Sequence, residues 1–121
     1  MSGFCDNCVG TLYEILSEQE KAVLYFLHRR ESVIEDVKEK IGTTKGIIAS
    51  PSFDRIGEIL NCTRSMARSY VMFLYRLGLL SRSKEDHSWI YALTEAGGKV
   101  IKLSLDNGEE KILTRYLQKK G

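Results

Sequence analysis

The sequence predicts a mainly helical domain of the α+β class, six or so helical segments around one small β-hairpin. Three observations predict it. Apolar residues recur at helical spacing through most of the chain, two short helices near its middle are separated by a tight-turn signature, and residues 79–93 read as a hairpin of two strands. A chain of 121 residues with 43% hydrophobic content fits one domain with its own core. Pro51 is the single proline, and no Gly/Ser-rich or repeated stretch supplies a linker on which to divide the chain. We read residues 1–49 as N-terminal helices, 50–103 as the central unit and 104–121 as a C-terminal helix.

Taken in order, Leu12, Ile15 and Leu16 have helical spacing, and Ser17 with Glu20 forms a capping box that starts a new helix. That helix carries Ala22 to Leu27, the longest apolar run, and reaches about Arg30. Val33, Ile34, Val37 and Ile41 continue at helical steps until Gly42. The pattern does not decide whether 18–41 is one helix or two. Thr43 to Ser50 suits a loop with a short strand before Pro51. Ser52 then caps a helix that buries Phe53, Ile56, Ile59 and Leu60 and ends near Asn61, and Thr63 caps the next, which runs to Leu77 before Gly78 stops it. Leu79–Ser83 and Ser88–Leu93 are strand-like, joined by the polar Lys84–His87. Thr94 and Glu95 restart a helix, Asn107-Gly108 breaks it, and Ile112, Leu113, Tyr116 and Leu117 make a last amphipathic segment.

Net charge is only +2, so its distribution carries the information. Residues 1–61 hold seven basic and ten acidic side chains, and residues 85–121 hold six of each. Between Cys62 and Lys84 stand Arg64, Arg68, Arg76, Arg82 and Lys84, with no acid. Such a cluster on otherwise balanced sequence is the electrostatic footprint of a phosphate-binding face. Its setting agrees. Two short helices crossing at a tight turn need a small residue at their contact, a residue that tolerates positive φ, and apolar inner faces. Gly57 and Asn61 meet the first two needs. Ile56, Leu60 and Cys62 line the first helix and the turn, and Ala67, Tyr70, Val71 and Leu74 line the second.

Residues 50–103 resemble the winged helix-turn-helix regulators, most of all the MarR type and its archaeal relatives. The resemblance rests on Phe53-Asp54-Arg55-Ile56-Gly57-Glu58-Ile59-Leu60, on Leu77-Gly78-Leu79-Leu80 and on Tyr91-Ala92-Leu93-Thr94-Glu95-Ala96-Gly97. It implies double-stranded DNA as the partner, helix 63–77 in the major groove, and the wing 79–93 on backbone or minor groove. Carried onto this chain, it assigns DNA contact to Thr63, Arg64, Ser65, Arg68 and Ser69 on the recognition helix, with Arg76 further along it, and to Arg82, Lys84 and His87 in the wing. Arg64 and Arg68 share a face, so either can make a bidentate guanine contact while the other holds a phosphate. The wing departs from the family pattern in placing Glu85 and Asp86 just before His87. Trp89 reads as packing against the domain.

The expected function is operator binding by a homodimeric transcriptional regulator, with a protein-interaction module or a replication or recombination accessory factor as alternatives of the same fold. Leu12, Ile15 and Leu16 at one end and Ile112, Leu113, Tyr116 and Leu117 at the other form apolar stripes outside the central unit. Stripes of this kind need a partner surface, and the resemblance implies a two-fold axis through the termini. No catalytic constellation or phosphate-binding glycine loop is visible, so neither an enzyme nor a cofactor is expected. Cys5 and Cys8 form a lone C-x-x-C pair; with Cys62, His28 and His87 scattered, no metal is expected, and a disulfide or redox role for the pair stays open. A cytoplasmic protein is expected, since Ala22–Leu27 is too short to cross a bilayer and the N-terminus lacks a secretory pattern.

Overall fold

The computed structural model describes residues 6–41, 52–85 and 88–117. These contain helices α1 (Asp6–Ile15), α2 (Glu18–Ile41), α3 (Phe53–Leu60) and α4 (Arg64–Arg76), an antiparallel hairpin of β1 (Leu80–Glu85) and β2 (Ser88–Leu93), and helices α5 (Glu95–Asp106) and α6 (Glu110–Leu117). The protein is therefore mainly helical with a small two-stranded sheet. The strand expected between Thr43 and Ser50 lies outside the described residues.

Residues 18–41 form one helix, which settles a point the apolar spacing left open. Its start is the expected reciprocal box: Ser17 N–H donates to Glu20 Oε1 at 2.8 Å and Glu20 N–H donates to Ser17 Oγ at 3.2 Å. Lys21, Ala22, Val23, Leu24, Tyr25 and Leu27 are all buried, because α4, α5 and α6 enclose this half of α2. A helix covered on all sides has no polar face to show, which is why its densest apolar run lacks a helical period. Further along, Val33 is exposed on the helix expected to bury it.

The hairpin follows directly on α4. Gly78, at φ 81°, ends that helix, and Leu79 and Leu80 turn into the core. Thr94 closes the hairpin base: its hydroxyl donates to Gly78 O at 2.7 Å and its N–H to Leu79 O at 3.1 Å, while the same hydroxyl accepts from Gly97 N–H as the cap of α5. Gly97 lies so close that a Cβ there would overlap the Leu79 carbonyl oxygen. From α2, Glu31 reaches across to accept from Leu93 N–H at 2.9 Å. The strands pair from Leu80 opposite Leu93 to Glu85 opposite Ser88, so β1 runs two residues past the expected Ser83. Lys84 extends the ladder because its cross-strand partner is Trp89, over whose ring the ammonium sits at 5.6 Å.

The terminal helices fold back onto their own chain, and this corrects the expectation that their stripes lack a partner. Helix α1 packs on α5, and α6 packs on α2 and α3. Leu16 and Leu113 are buried, and Leu12, Tyr116 and Leu117 lean on the core; Ile15 (53%) and Ile112 (36%) stay exposed. The buried half of α2 is a surface that the α6 stripe covers, and α5 is the surface on which α1 lies. A polar clasp locks them in place: Glu109 accepts from Tyr13 Oη at 2.6 Å, from Lys21 Nζ at 3.3 Å and from Ser104 Oγ. Burial raises the Glu109 pKa, but these three donors outweigh it and hold the carboxyl below its ordinary value. At the outer edge of the same layer Tyr116 donates to Glu18 at 2.9 Å.

Candidate nucleic-acid interface

Helices α3 and α4 meet as the sequence expects. Ser52 Oγ accepts from Arg55 N–H at 3.1 Å to cap α3, and Thr63 Oγ1 accepts from Met66 N–H at 3.1 Å to cap α4. Asn61, at φ 58°, is the one described non-glycine residue in the left-handed region, and its N–H closes α3 on Glu58 O. The contact residue is Gly57, where an added Cβ would stand 2.8 Å from Cys62 O. Cys62 fills the turn half-buried, and burial pushes its thiol pKa up, so it stays protonated at neutral pH.

Seated in this way, α4 buries Ala67, Val71 and Leu74. Ser65, Ser69, Met72 and Arg76, at steps of four, three and four, mark the opposite stripe; the two serines and Arg76 are exposed. Arg64 and Arg68 occupy the flank on the side of Tyr75, which meets the hairpin, while Met66 (46% exposed) and Phe73 (37%) occupy the other flank. No acid lies on the helix. The two arginines differ in a way their spacing conceals. Arg64 pairs with Asp54 of α3 at 3.5 Å and leans over the Phe53 ring at 5.9 Å, whereas Arg68 makes no hydrogen bond, ion pair or ring contact among the described residues. Thr63 has its hydroxyl committed to the cap.

The hairpin cations are arranged otherwise than expected. Leu80 faces the core, and residues two apart in a strand share a face, so Arg82 and Lys84 lie on the same face as Leu80, as do Leu93, Tyr91 and Trp89 on the paired strand, with Lys84 and Trp89 exposed at its far end. Arg82 lies between two rings, 4.6 Å from the Tyr75 centroid and 4.4 Å from that of Trp89. A hydrogen bond to its cross-strand neighbour Tyr91, only partly offset by desolvation, holds the guanidinium pKa above its usual value. Tyr91 in turn meets Met72 of α4 at 3.8 Å and stacks obliquely on Phe53 of α3 at 5.9 Å. Arg82 is thus held against two rings of its own chain. Trp89 is 47% exposed, not packed away as expected. Strand alternation alone would have revealed this shared face once Leu80 was assigned to the core.

Of the remaining candidates, Lys84 is exposed and sits over Trp89, His87 lies outside the described residues, Cys8 is exposed on α1, and Cys5 lies outside the described residues. Among the described residues no group of three His, Cys, Asp or Glu side chains converges as a metal site requires, and no helix is long and apolar enough to cross a membrane. Compared with known families, curated proteins and solved structures, the chain finds no match in any of the three.

Proposed function

We propose that this chain is a winged helix-turn-helix protein that binds double-stranded DNA with α4 and acts as a transcriptional regulator. The observation that carries the reading is the exposed side of α4: Ser65, Arg68, Ser69 and Arg76 stand on an acid-free helix whose opposite side is locked to α3, and Arg68 is uncommitted among the described residues. A rigid helix bearing a guanidinium and short hydroxyls suits a major groove, where arginine reads guanine and serine reaches phosphate oxygens. Since Arg64 is shared with Asp54, Arg68 is the base reader and Arg64 the phosphate ligand.

The homodimer belongs to this proposal in a reduced form. With most of the terminal stripes covered, Ile15 and Ile112 remain for a second copy. Self-association without DNA is therefore weak, and pairing is completed on a palindromic site with half-sites about 34–36 Å apart.

The exposed Met66 and Phe73, seven residues apart on α4, favour a second reading as a protein-interaction module. Selection from a random duplex pool separates the two. Enrichment of a common half-site supports the DNA reading; recovery of unenriched sequence, with no retention above background, rejects it. A role in replication or recombination would show as retention without sequence preference.

A further inference from the structure

Trp89 is the chain's one tryptophan, and it stands nearly half exposed on the inner face of the hairpin. It is held in a layered arrangement: the Tyr75 ring, then the Arg82 guanidinium at 4.6 Å, then the indole at 4.4 Å, with the Lys84 ammonium also over the ring at 5.6 Å. The guanidinium lies over the indole, which nevertheless keeps 47% of its surface exposed. An apolar ring of this size left to solvent beside two cations has no use for a phosphodiester, which offers it nothing to stack on. It does suit a nucleobase, whose flat face meets the ring while a neighbouring phosphate meets the exposed Lys84. In an intact duplex both faces of every base are already stacked, so the ring's partner must be an unpaired or flipped one.

We infer that Trp89, oriented by Arg82 and flanked by Lys84, is a stacking platform for an unpaired base, so that the protein prefers DNA carrying a duplex–single-strand junction to the same DNA fully paired. This rests on the reading of α4 as a DNA-binding helix and adds a second, different contact to it. Among the described residues this is the one place where an arginine lies over two rings. A protein partner for the same ring is the alternative outcome.

The test uses the full chain, a labelled blunt duplex and a forked duplex of identical paired sequence. Anisotropy of the label reports binding, and the intrinsic fluorescence of Trp89 reports stacking. The forked duplex is expected to quench the indole and to bind about tenfold more tightly than the blunt one, the preference one aromatic–base stack supplies. Trp89→Phe keeps most of the preference. Trp89→Leu, which retains an apolar side chain but no ring face, loses it while blunt-duplex affinity holds. Fork and blunt duplexes bound equally, or fork binding without quenching, overturns the inference and leaves α4 binding intact; quenching by a protein partner and not by the fork does the same. Failure of both DNAs to bind overturns the α4 reading together with it.

Discussion

Arg68 and Arg82 are the same residue type in the same acid-free stretch, yet they do different things. Arg68 stands on the exposed flank of a locked helix with no partner among the described residues, so its charge is available to a ligand. Arg82 is half-buried between Tyr75 and Trp89 and hydrogen-bonded to Tyr91, so its charge is spent within the hairpin. A count of basic residues treats them alike. What separates them is the period of the element: an α-helix turns a cation away from the core within two residues, whereas a strand that buries Leu80 must bring Arg82 to the same side.

The largest effect that breaks the comparison comes from the glycines that seat the two regions. Gly97→Ala forces a methyl against the Leu79 carbonyl and unseats the hairpin, and should cost toward the upper end of the about 1–3 kcal/mol typical of overpacking. Gly57→Ala presses on Cys62 O at the α3–α4 turn and should cost less, since the approach is less severe. Thermal unfolding followed by circular dichroism checks the order; a Gly97→Ala protein as stable as the parent would show that the hairpin is not fixed at its base.

Next in size is the pair of arginine variants themselves. Arg82→Ala should lower Tm by a few degrees by removing the cation between two rings, and should change duplex affinity little. Arg68→Ala should leave Tm within a degree or two and weaken DNA binding about tenfold or more, as expected for an arginine that reads a base. Reversal of the two phenotypes would dissolve the distinction.

The comparison is cleanest near neutral pH, because the fold also depends on a carboxylate remote from both regions. Glu109 has a depressed pKa in the folded protein, so its stabilisation is present above the ordinary Glu pKa near 4.3 and is lost as pH falls through the lower folded value. Glu109→Gln should be less stable than the parent at pH 7, with the gap narrowing below pH 4. A gap that is constant with pH would remove the ionised clasp from the account.

The smallest effect concerns Arg64. Asp54→Asn releases it from an exposed ion pair and reduces local negative charge, and should tighten duplex binding a few-fold at low salt, with the gain fading at higher salt. No change at low salt would mean that Asp54 does not compete with phosphate for this side chain.

Local chemistry was legible where one residue decides one event. Ser17, Ser52, Thr63 and Thr94 cap as read, Asn61 takes the left-handed turn, and Gly78 stops α4, because caps and turns depend on neighbours in sequence. The destination of an apolar stripe was not legible, since Leu16 and Leu113 look the same whether their own chain or a second copy covers them. The Glu109 clasp was equally hidden: Tyr13 and Glu109 are far apart in sequence, and nothing local announces their bond. The role of Gly97 lay in plain view as part of a quoted motif, but only the position of the Leu79 carbonyl explains it.

The most direct test of α4 as the DNA-binding element is the dependence of duplex affinity on salt, measured for the parent, Arg64→Ala and Arg68→Ala. Each phosphate neutralised contributes about 0.9 to the slope of log affinity against log salt concentration. Arg64→Ala is expected to reduce the slope by about one and weaken all sequences evenly, and Arg68→Ala to relax preference at one base position with a smaller change in slope. Unchanged affinity and slope in both variants, with the fold intact, would contradict the assignment of α4 to DNA.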